Sequence, residues 1–119
     1  MRDFKKYDVW QLAHENVLFM YKVILPKMPS SEKYDLSGQL KRAAYSVPMN
    51  IAEGAGRNTD KDFASFLDNA LGSAQEVEYC LLLTKDLGYI PLELFNEANQ
   101  KINIIKSKLI NLIKSIRKL

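Results

Sequence analysis

The sequence predicts an all-α protein, a single up-down-up-down antiparallel four-helix bundle formed by residues 1–119. Apolar residues recur every three or four positions along the chain, which is the spacing of one face of an α-helix. The 4 Pro and 5 Gly divide the chain into four long segments, with helices expected over about residues 7–25, 31–55, 60–87 and 92–118. Because the connections are short, successive helices should run antiparallel.

The first two predicted helices are bounded by proline and glycine. Pro26 and Pro29 end the first, since proline cannot continue a helix and restricts the residue before it. Pro48 lies inside the second and removes a backbone hydrogen bond, so this helix should be kinked or broken there. Gly54 and Gly56 should then end it, because glycine tolerates the left-handed conformation of a helix C-cap.

The last two predicted helices carry clear end signals. Thr59 precedes an acidic first turn that includes Asp62, an arrangement typical of a helix start. Gly88 is expected at a left-handed C-cap of the third helix. Gly72 in mid-helix costs stability and predicts the close approach of a neighbouring helix. The fourth helix has an unbroken seam at spacings of three and four, typical of shallow packing along its length: Phe95, Ala98, Ile102, Ile105, Leu109, Leu112, Ile116 and Leu119.

Charge is unevenly distributed along the chain. The net charge is +3, but residues 98–119 carry +6 with no acid, and the remainder is −3. A basic segment of this kind is a candidate surface for phosphate or an acidic partner. The alternative is a solvated helix face whose cations lie favourably near a helix C-terminus. The charged N-terminal residues and the absence of a long apolar run predict a cytoplasmic protein without membrane contact.

The composition offers little for catalysis or metal binding. A single His and a single Cys exclude a Cys-based zinc site and a di-iron centre within one chain. No nucleophile, phosphate-loop or paired-carboxylate arrangement is present, so we expect no enzyme activity and no cofactor. Cys80 is expected to be a small buried hydrophobe.

A polar cluster follows the edge of the apolar stripe on the second helix. Glu53 could pair with Arg57 one turn on, and Arg42 would need an acid from another helix, with Glu76 as the candidate. The pattern predicts a structural polar network, with a ligand site as the alternative. Its candidate members are Arg42, Ser46, Asn50, Glu53, Arg57 and Glu76.

Apolar residues also lie off the core-facing stripes of three helices. Such repeated second faces exceed what one small bundle can bury and predict self-association. The candidate subunit-interface residues are Tyr45, Met49, Leu71, Leu82, Leu83, Ile104 and Ile110.

The central segment of the chain resembles a known family. Residues 39–57, QLKRAAYSVPMNIAEGAGR, resemble the hallmark of the four helix bundle proteins, also called 23S rRNA-intervening sequence proteins. Further matches are Val9-Trp10-Gln11-Leu12-Ala13-His14-Glu15, Phe63 with Phe66-Leu67, Gly72-Ser73 followed by Glu76-Val77-Glu78, and Leu87-Gly88-Tyr89-Ile90.

The resemblance implies a cytoplasmic bacterial four-helix bundle that assembles as a homopentamer. Some members are encoded inside an inserted segment of a ribosomal RNA gene. The related accessory variability proteins of diversity-generating retroelements form a basic pentameric barrel that binds nucleic acid and a reverse transcriptase. This chain departs from that branch in its modest positive charge.

Two functional hypotheses follow. The first is a non-enzymatic oligomer that binds RNA or DNA through phosphate contacts, with strong salt dependence. Its candidate residues are Lys106, Lys108, Lys114, Arg117 and Lys118. The alternative is a protein–protein interaction scaffold or accessory subunit with no nucleic-acid role, for which a reverse transcriptase is one conceivable partner.

Overall fold

A computed structural model describes all of residues 1–119 and contains four long α-helices and no strand. They are α1 (Asp8–Phe19), α2 (Leu36–Ala55), α3 (Asp60–Asp86) and α4 (Leu92–Arg117). They pack as the four-helix bundle that the sequence predicts, in a molecule measuring 43 × 23 × 19 Å. No helix is both long and apolar enough to cross a membrane.

The helix ends depart from the expected bounds in two places. After α1 the chain keeps turning through a π-helical segment, Met20–Ile24, and a 3-10 turn, Leu25–Lys27. A separate 3-10 turn, Ser30–Glu32, precedes α2, which therefore begins five residues later than the expected start near residue 31. The additional turns let the chain reverse direction between α1 and α2.

The core runs along the bundle axis and contains the apolar stripes that the sequence indicates. The largest fully buried side chains come from all four helical segments: Phe63, Met20, Ile24, Leu40, Ile51, Leu67, Leu81, Ile102, Ile105, Leu109, Val9 and Val47. The most extensive helix contact is between α2 and α3, followed by that between α3 and α4. Helix α1 packs chiefly against α2 and α4, so it lies diagonally across the bundle from α3.

Pro48 does not break α2. The helix is continuous from Leu36 to Ala55 although Pro48 has no N–H to donate. Pro48 is buried, and its neighbour Val47 and the next-turn residue Ile51 are in the core. Tertiary packing therefore outweighs the lost hydrogen bond; the predicted break is wrong, and the kink stays a prediction.

Gly54 and Gly56 do not form the left-handed cap that the sequence predicts. Gly56 is the C-cap but has φ −82°, which is right-handed, and Gly54 lies inside α2. Gly54 is buried against α3, where a Cβ would be only 2.6 Å from the Cβ of Phe66 and 3.1 Å from Cδ1 of Phe63. Its role is to let the two helices approach closely.

The predicted ends of α3 are confirmed. The Thr59 hydroxyl accepts a hydrogen bond from the N–H of Asp62 at 3.1 Å. At the other end Gly88 has φ +82°, and the N–H of Tyr89 donates to the carbonyl of Thr84 at 3.1 Å, which completes a Schellman motif. The prediction for Gly72 is wrong within the chain, since no atom of a neighbouring helix lies within 4 Å of the position that its Cβ would take.

Gly54→Ala and Gly72→Ala should shift stability in opposite directions. The first forces α2 away from Phe66 and should lower the free energy of unfolding by about 1–3 kcal/mol. The second adds a methyl group in open space and should raise it by about 0.5–1 kcal/mol through helix propensity. Urea unfolding of both variants measures the difference, and equal effects would contradict the assigned role of Gly54.

Candidate interaction surface

The basic residues of α4 are largely paired with acids on the neighbouring helices. Lys106 Nζ donates to Glu78 Oε1 of α3 at 2.7 Å. Lys108 Nζ donates to Asp8 Oδ2 of α1, also at 2.7 Å. The charge segregation along the chain is therefore reduced in the folded bundle.

Arg117 makes the most directional of these pairs. Its two terminal nitrogens donate to both carboxylate oxygens of Asp68, at 3.0 and 2.6 Å. Lys114 and Lys118, in contrast, have no acidic group within 4.0 Å. The structure thus separates the five candidate phosphate-binding residues into three that are paired and two that are free.

The ion pairs also shift ionisation equilibria. The hydrogen bond from Lys106 lowers the pKa of Glu78, and that from Lys108 lowers the pKa of Asp8. The hydrogen bond to Asp68 raises the pKa of Arg117. Each shift favours the charged forms, as expected for pairs that hold α4 to α1 and α3.

The predicted polar network forms only in part. Arg42 makes no ion pair with Glu76; its Nη2 donates to Gln39 Oε1 at a long 3.5 Å. Gln39 Nε2 in turn donates to Glu76 Oε2, so Gln39 links the two groups. Sequence reasoning missed Gln39, although it lies three residues before Arg42 on the same helix face.

Of the remaining members of the predicted network, only Asn50 and Ser46 are connected. Asn50 Nδ2 donates to the Ser46 carbonyl of its own helix at 2.8 Å. The expected Glu53–Arg57 ion pair is wrong, because the Arg57 guanidinium lies instead over the ring of Phe66, 4.7 Å from its centroid.

A groove of about 690 Å³ opens between the first half of α2 and the second half of α3. Leu36, Cys80 and Leu83 contribute apolar surface to it. Its charged lining residues are three acids and one base, Glu32, Asp35, Glu76 and Arg42, and exposed tyrosines, Tyr34 and Tyr79, also line it. We call it the α2/α3 groove.

Tyr79 lies on a ridge between two apolar depressions. Its side chain is 62% exposed and lines both the α2/α3 groove and a smaller depression of about 380 Å³ between α3 and α4. Leu82 and Phe95 line the second depression, and Leu83 and Leu87 line the first. Together Tyr79, Leu82, Leu83 and Leu87 form an apolar strip in which only Leu83 is half-buried, and we call this strip the α3 ridge.

Cys80 lines the groove as a small apolar side chain and does not supply a reactive thiolate. Burial raises the pKa of its thiol to about 11, so the group is protonated at neutral pH. His14, the one imidazole of the chain, stacks on the indole of Trp10 with the ring centroids 5.1 Å apart. Neither group meets a second residue with which it could form a nucleophile–base pair.

The seven candidate subunit-interface residues lie on different sides of the bundle. Tyr45 and Met49 line a depression between α1 and α2, and Ile104 lines one between α1 and α4. Leu82 and Leu83 belong to the α3 ridge. Ile110 is 39% exposed on α4, whereas Leu71 is half-buried against the core. The apolar surface is therefore spread over several faces instead of forming one patch.

Sequence comparison assigns the chain to a family. The family model described as "23S rRNA-intervening sequence protein" matches residues 5–111. The chain belongs to the 23S rRNA-intervening sequence protein family. No curated protein matches it significantly.

A solved structure agrees with this assignment. The chain is similar to a crystal structure described as a protein with unknown function from the S23 ribosomal protein family of Bacteroides thetaiotaomicron VPI-5482. The two share 28% sequence identity with a TM-score of 0.82, over 89% of this chain and 98% of that chain. Neither the family description nor that of the crystal structure names an enzymatic activity.

The Lys106–Glu78 pair predicts an acid-sensitive contribution to the stability of this family member. The pKa of Glu78 is depressed below its ordinary 4.5, so the pair stabilises the fold above that value. The contribution is lost as the pH falls through the depressed pKa. Glu78→Gln should therefore lose less stability than the wild type between about pH 6 and pH 3.

Unfolding free energies measured across that range test the pair, with Glu97→Gln as the matched control because Glu97 is exposed, has no ion pair and lies beyond the first turn of α4. A wild-type pH profile in Glu78→Gln would mean that the pair does not contribute.

Proposed function

We propose that this protein is a non-enzymatic, self-assembling scaffold whose α3 ridge and α2/α3 groove contact other copies of the chain. The observation that supports the proposal best is the α3 ridge, in which Tyr79 stands exposed between two apolar depressions. Exposed apolar surface of this extent, bordered by polar groups, is typical of protein interaction sites. Tyrosine is also among the residues enriched at such interfaces.

The distribution of exposed apolar residues favours a ring over a two-fold dimer. A two-fold contact uses the same patch on both subunits, whereas a ring uses two different patches on each subunit. Exposed apolar groups on α3 and, separately, on α1, α2 and α4 supply such a pair of patches. A ring of five copies is the assembly that the family resemblance implies.

Substitutions on the α3 ridge test the scaffold proposal. Tyr79→Glu and Leu83→Glu place a carboxylate in the apolar contact, and both variants should have a lower mass in solution than the wild type. The control is Asn111→Glu, an exposed position of α4 outside both depressions. Sedimentation at micromolar concentration gives the masses, and circular dichroism establishes that each variant is folded.

Two outcomes would contradict the proposal. One is a wild-type protein that sediments as a single chain. The other is an assembly that both ridge variants leave unchanged.

Nucleic-acid binding by the assembly is a second candidate function, and the two unpaired cations Lys114 and Lys118 favour it. Lys106, Lys108 and Arg117 have acidic partners, so they are less available for phosphate. Repetition of two free lysines around a ring would concentrate positive charge at one place. Binding of this kind would depend on phosphate and be strongly salt-dependent.

The double variant Lys114→Glu/Lys118→Glu tests this candidate. It should weaken binding of single-stranded RNA, and the slope of log affinity against log salt should fall by about 0.7 for each lost phosphate contact. Lys27→Glu/Lys61→Glu changes the net charge equally at exposed positions and serves as the control. Equal losses in the two double variants would show a net-charge effect and no localised site.

A further inference from the structure

Arg57, in the turn between α2 and α3, has a guanidinium group whose donors are all free. The residue is exposed, and its side chain makes no ion pair and no hydrogen bond within the chain. Its guanidinium lies over the ring of Phe66, with 4.7 Å between Cζ and the ring centroid. Because stacking on a ring restricts the guanidinium plane and leaves its edge open, Arg57 is an oriented cation available to an external acceptor.

A second arginine holds this turn in place. Arg2 Nη1 donates to the carbonyl of Arg57 at 2.8 Å and to that of Ala55 at 3.4 Å. Its Nη2 pairs with Asp60, and its guanidinium lies over the ring of Phe63, 4.6 Å from the centroid. Arg2 therefore connects the N-terminal segment to the turn and to the first residues of α3.

A cavity of about 340 Å³ opens at the same turn. Its lining contains two bases and no acid, and consists of Met1, Arg2, Gly56, Arg57 and Asn58. The α2/α3 groove has the opposite character, with three acids and one base. The volume lies within the range of about 300–1,000 Å³ that is typical of small-molecule sites. Size and lining together favour an anionic ligand.

The acids near the turn leave the charge of Arg57 uncompensated. Asp60 is paired with Arg2, and Glu53, one turn before Arg57, makes no ion pair with it. Neither acid lines the cavity. An anion at Arg57 would therefore displace no partner within the chain, whereas at the paired bases of α4 it would have to compete with a carboxylate.

A phosphate group suits these donors better than a carboxylate does. The planar fork of one arginine already satisfies both oxygens of a carboxylate. A phosphate group keeps further acceptor oxygens after the same bidentate contact. The side-chain amide of Asn58 is exposed, makes no hydrogen bond within the chain and follows Arg57 directly, so it can donate to one of them.

We propose that the cavity at the α2–α3 turn is a phosphate-binding site, in which Arg57 makes a bidentate contact with the phosphate group and Asn58 donates to a third oxygen. Arg2 is a positioning residue, because it fixes the turn through the Arg57 carbonyl and offsets the charge of Asp60. The backbone of single-stranded RNA and a free phosphate monoester both supply this chemistry, and the experiment separates the two sources.

The site shares no residue with the α3 ridge, with the α2/α3 groove or with the free lysines of α4. Its test is therefore independent of both functions proposed above. Failure at Arg57 would leave the scaffold proposal standing, and a monomeric wild type would leave the phosphate site standing.

Titrations of the isotope-labelled protein at constant ionic strength test the site, with inorganic phosphate, adenosine monophosphate and a short single-stranded RNA as the probes. The NMR signals of the Arg57 Nε–H and the Asn58 amide should shift to saturation with at least one probe. Arg57→Ala should weaken that binding by about 10-fold or more through loss of charge-assisted hydrogen bonds. Arg57→Lys should lose most of it too, because an ammonium group keeps the charge without the planar fork.

The matched control is Lys61→Ala. It removes the same charge at an exposed position in the first turn of α3 that does not line the cavity. Its affinity for each probe should equal that of the wild type.

Asn58→Asp gives a second, independent measurement. A carboxylate beside Arg57 repels phosphate at an unchanged side-chain size, so affinity should again fall about 10-fold or more. An acid just before the first turn of α3 is favourable for the helix, so urea unfolding should find the variant at least as stable as the wild type. Loss of binding without loss of stability would locate the phosphate at this turn.

The pattern of results decides between the sources and the failure of the site. Binding of both free phosphates that Arg57→Ala removes supports the site with a monoester as ligand, and binding of RNA alone with the same loss supports it with nucleic acid as ligand. The proposal is overturned if no probe shifts the two signals, or if Arg57→Ala and Lys61→Ala lose affinity equally. Wild-type affinity in Arg57→Lys or Asn58→Asp, or equal binding of polyglutamate, also overturns it.

Discussion

The close contact between α2 and α3 is the constraint on which the rest of the structure depends. Gly54 has no side chain, so α2 approaches the backbone and ring of the Phe63–Phe66 turn at distances that a Cβ would not allow. At the other end of the same pair, between Leu36 and Leu87, the helices leave a groove of about 690 Å³. One helix–helix interface thus supplies both much of the core and this groove.

Charge pairing across helices changes the functional interpretation of the sequence. The stretch after residue 97 is purely basic, yet α4 packs between two helices that carry acids at matching heights. Lys106 and Lys108 therefore connect helices, and phosphate would have to compete with Glu78 and Asp8 for them. The α3 ridge is consequently a better candidate for partner binding than the basic face of α4.

Local signals in the sequence were sufficient for the fold, and tertiary contacts were not predictable from them. Thr59 and Gly88 act through bonds within one or two turns, so their positions alone locate the ends of α3. Helical spacing alone assigned a helix cap to Gly54 and a close helix contact to Gly72, whereas the structure has the close contact at Gly54. Only the position of α3 shows that the first is at a helix contact and the second in open space.

The same limit applied to the polar residues of the candidate site. Helical spacing suggested that Glu53 and Arg57 would pair, but it could not include the ring of Phe66 on another helix as a competitor for Arg57. The side-chain oxygen of Asn16, Oδ1, is buried and has no hydrogen-bond partner. The sequence could not predict this either, because the burial of Asn16 depends on how α1 packs against α4.

Electrostatics argues against pairing the α2/α3 groove with itself. A two-fold contact would bring Glu32, Asp35 and Glu76 of one copy towards the same three acids of the other, with one arginine on each side to offset them. Like charges in an interface disfavour the contact by several kcal/mol, of order 2–4. A different surface on the second copy avoids that repulsion. The α1/α4 side carries Lys101, an exposed cation without an ion pair, and so does not repeat the acidic lining of the groove.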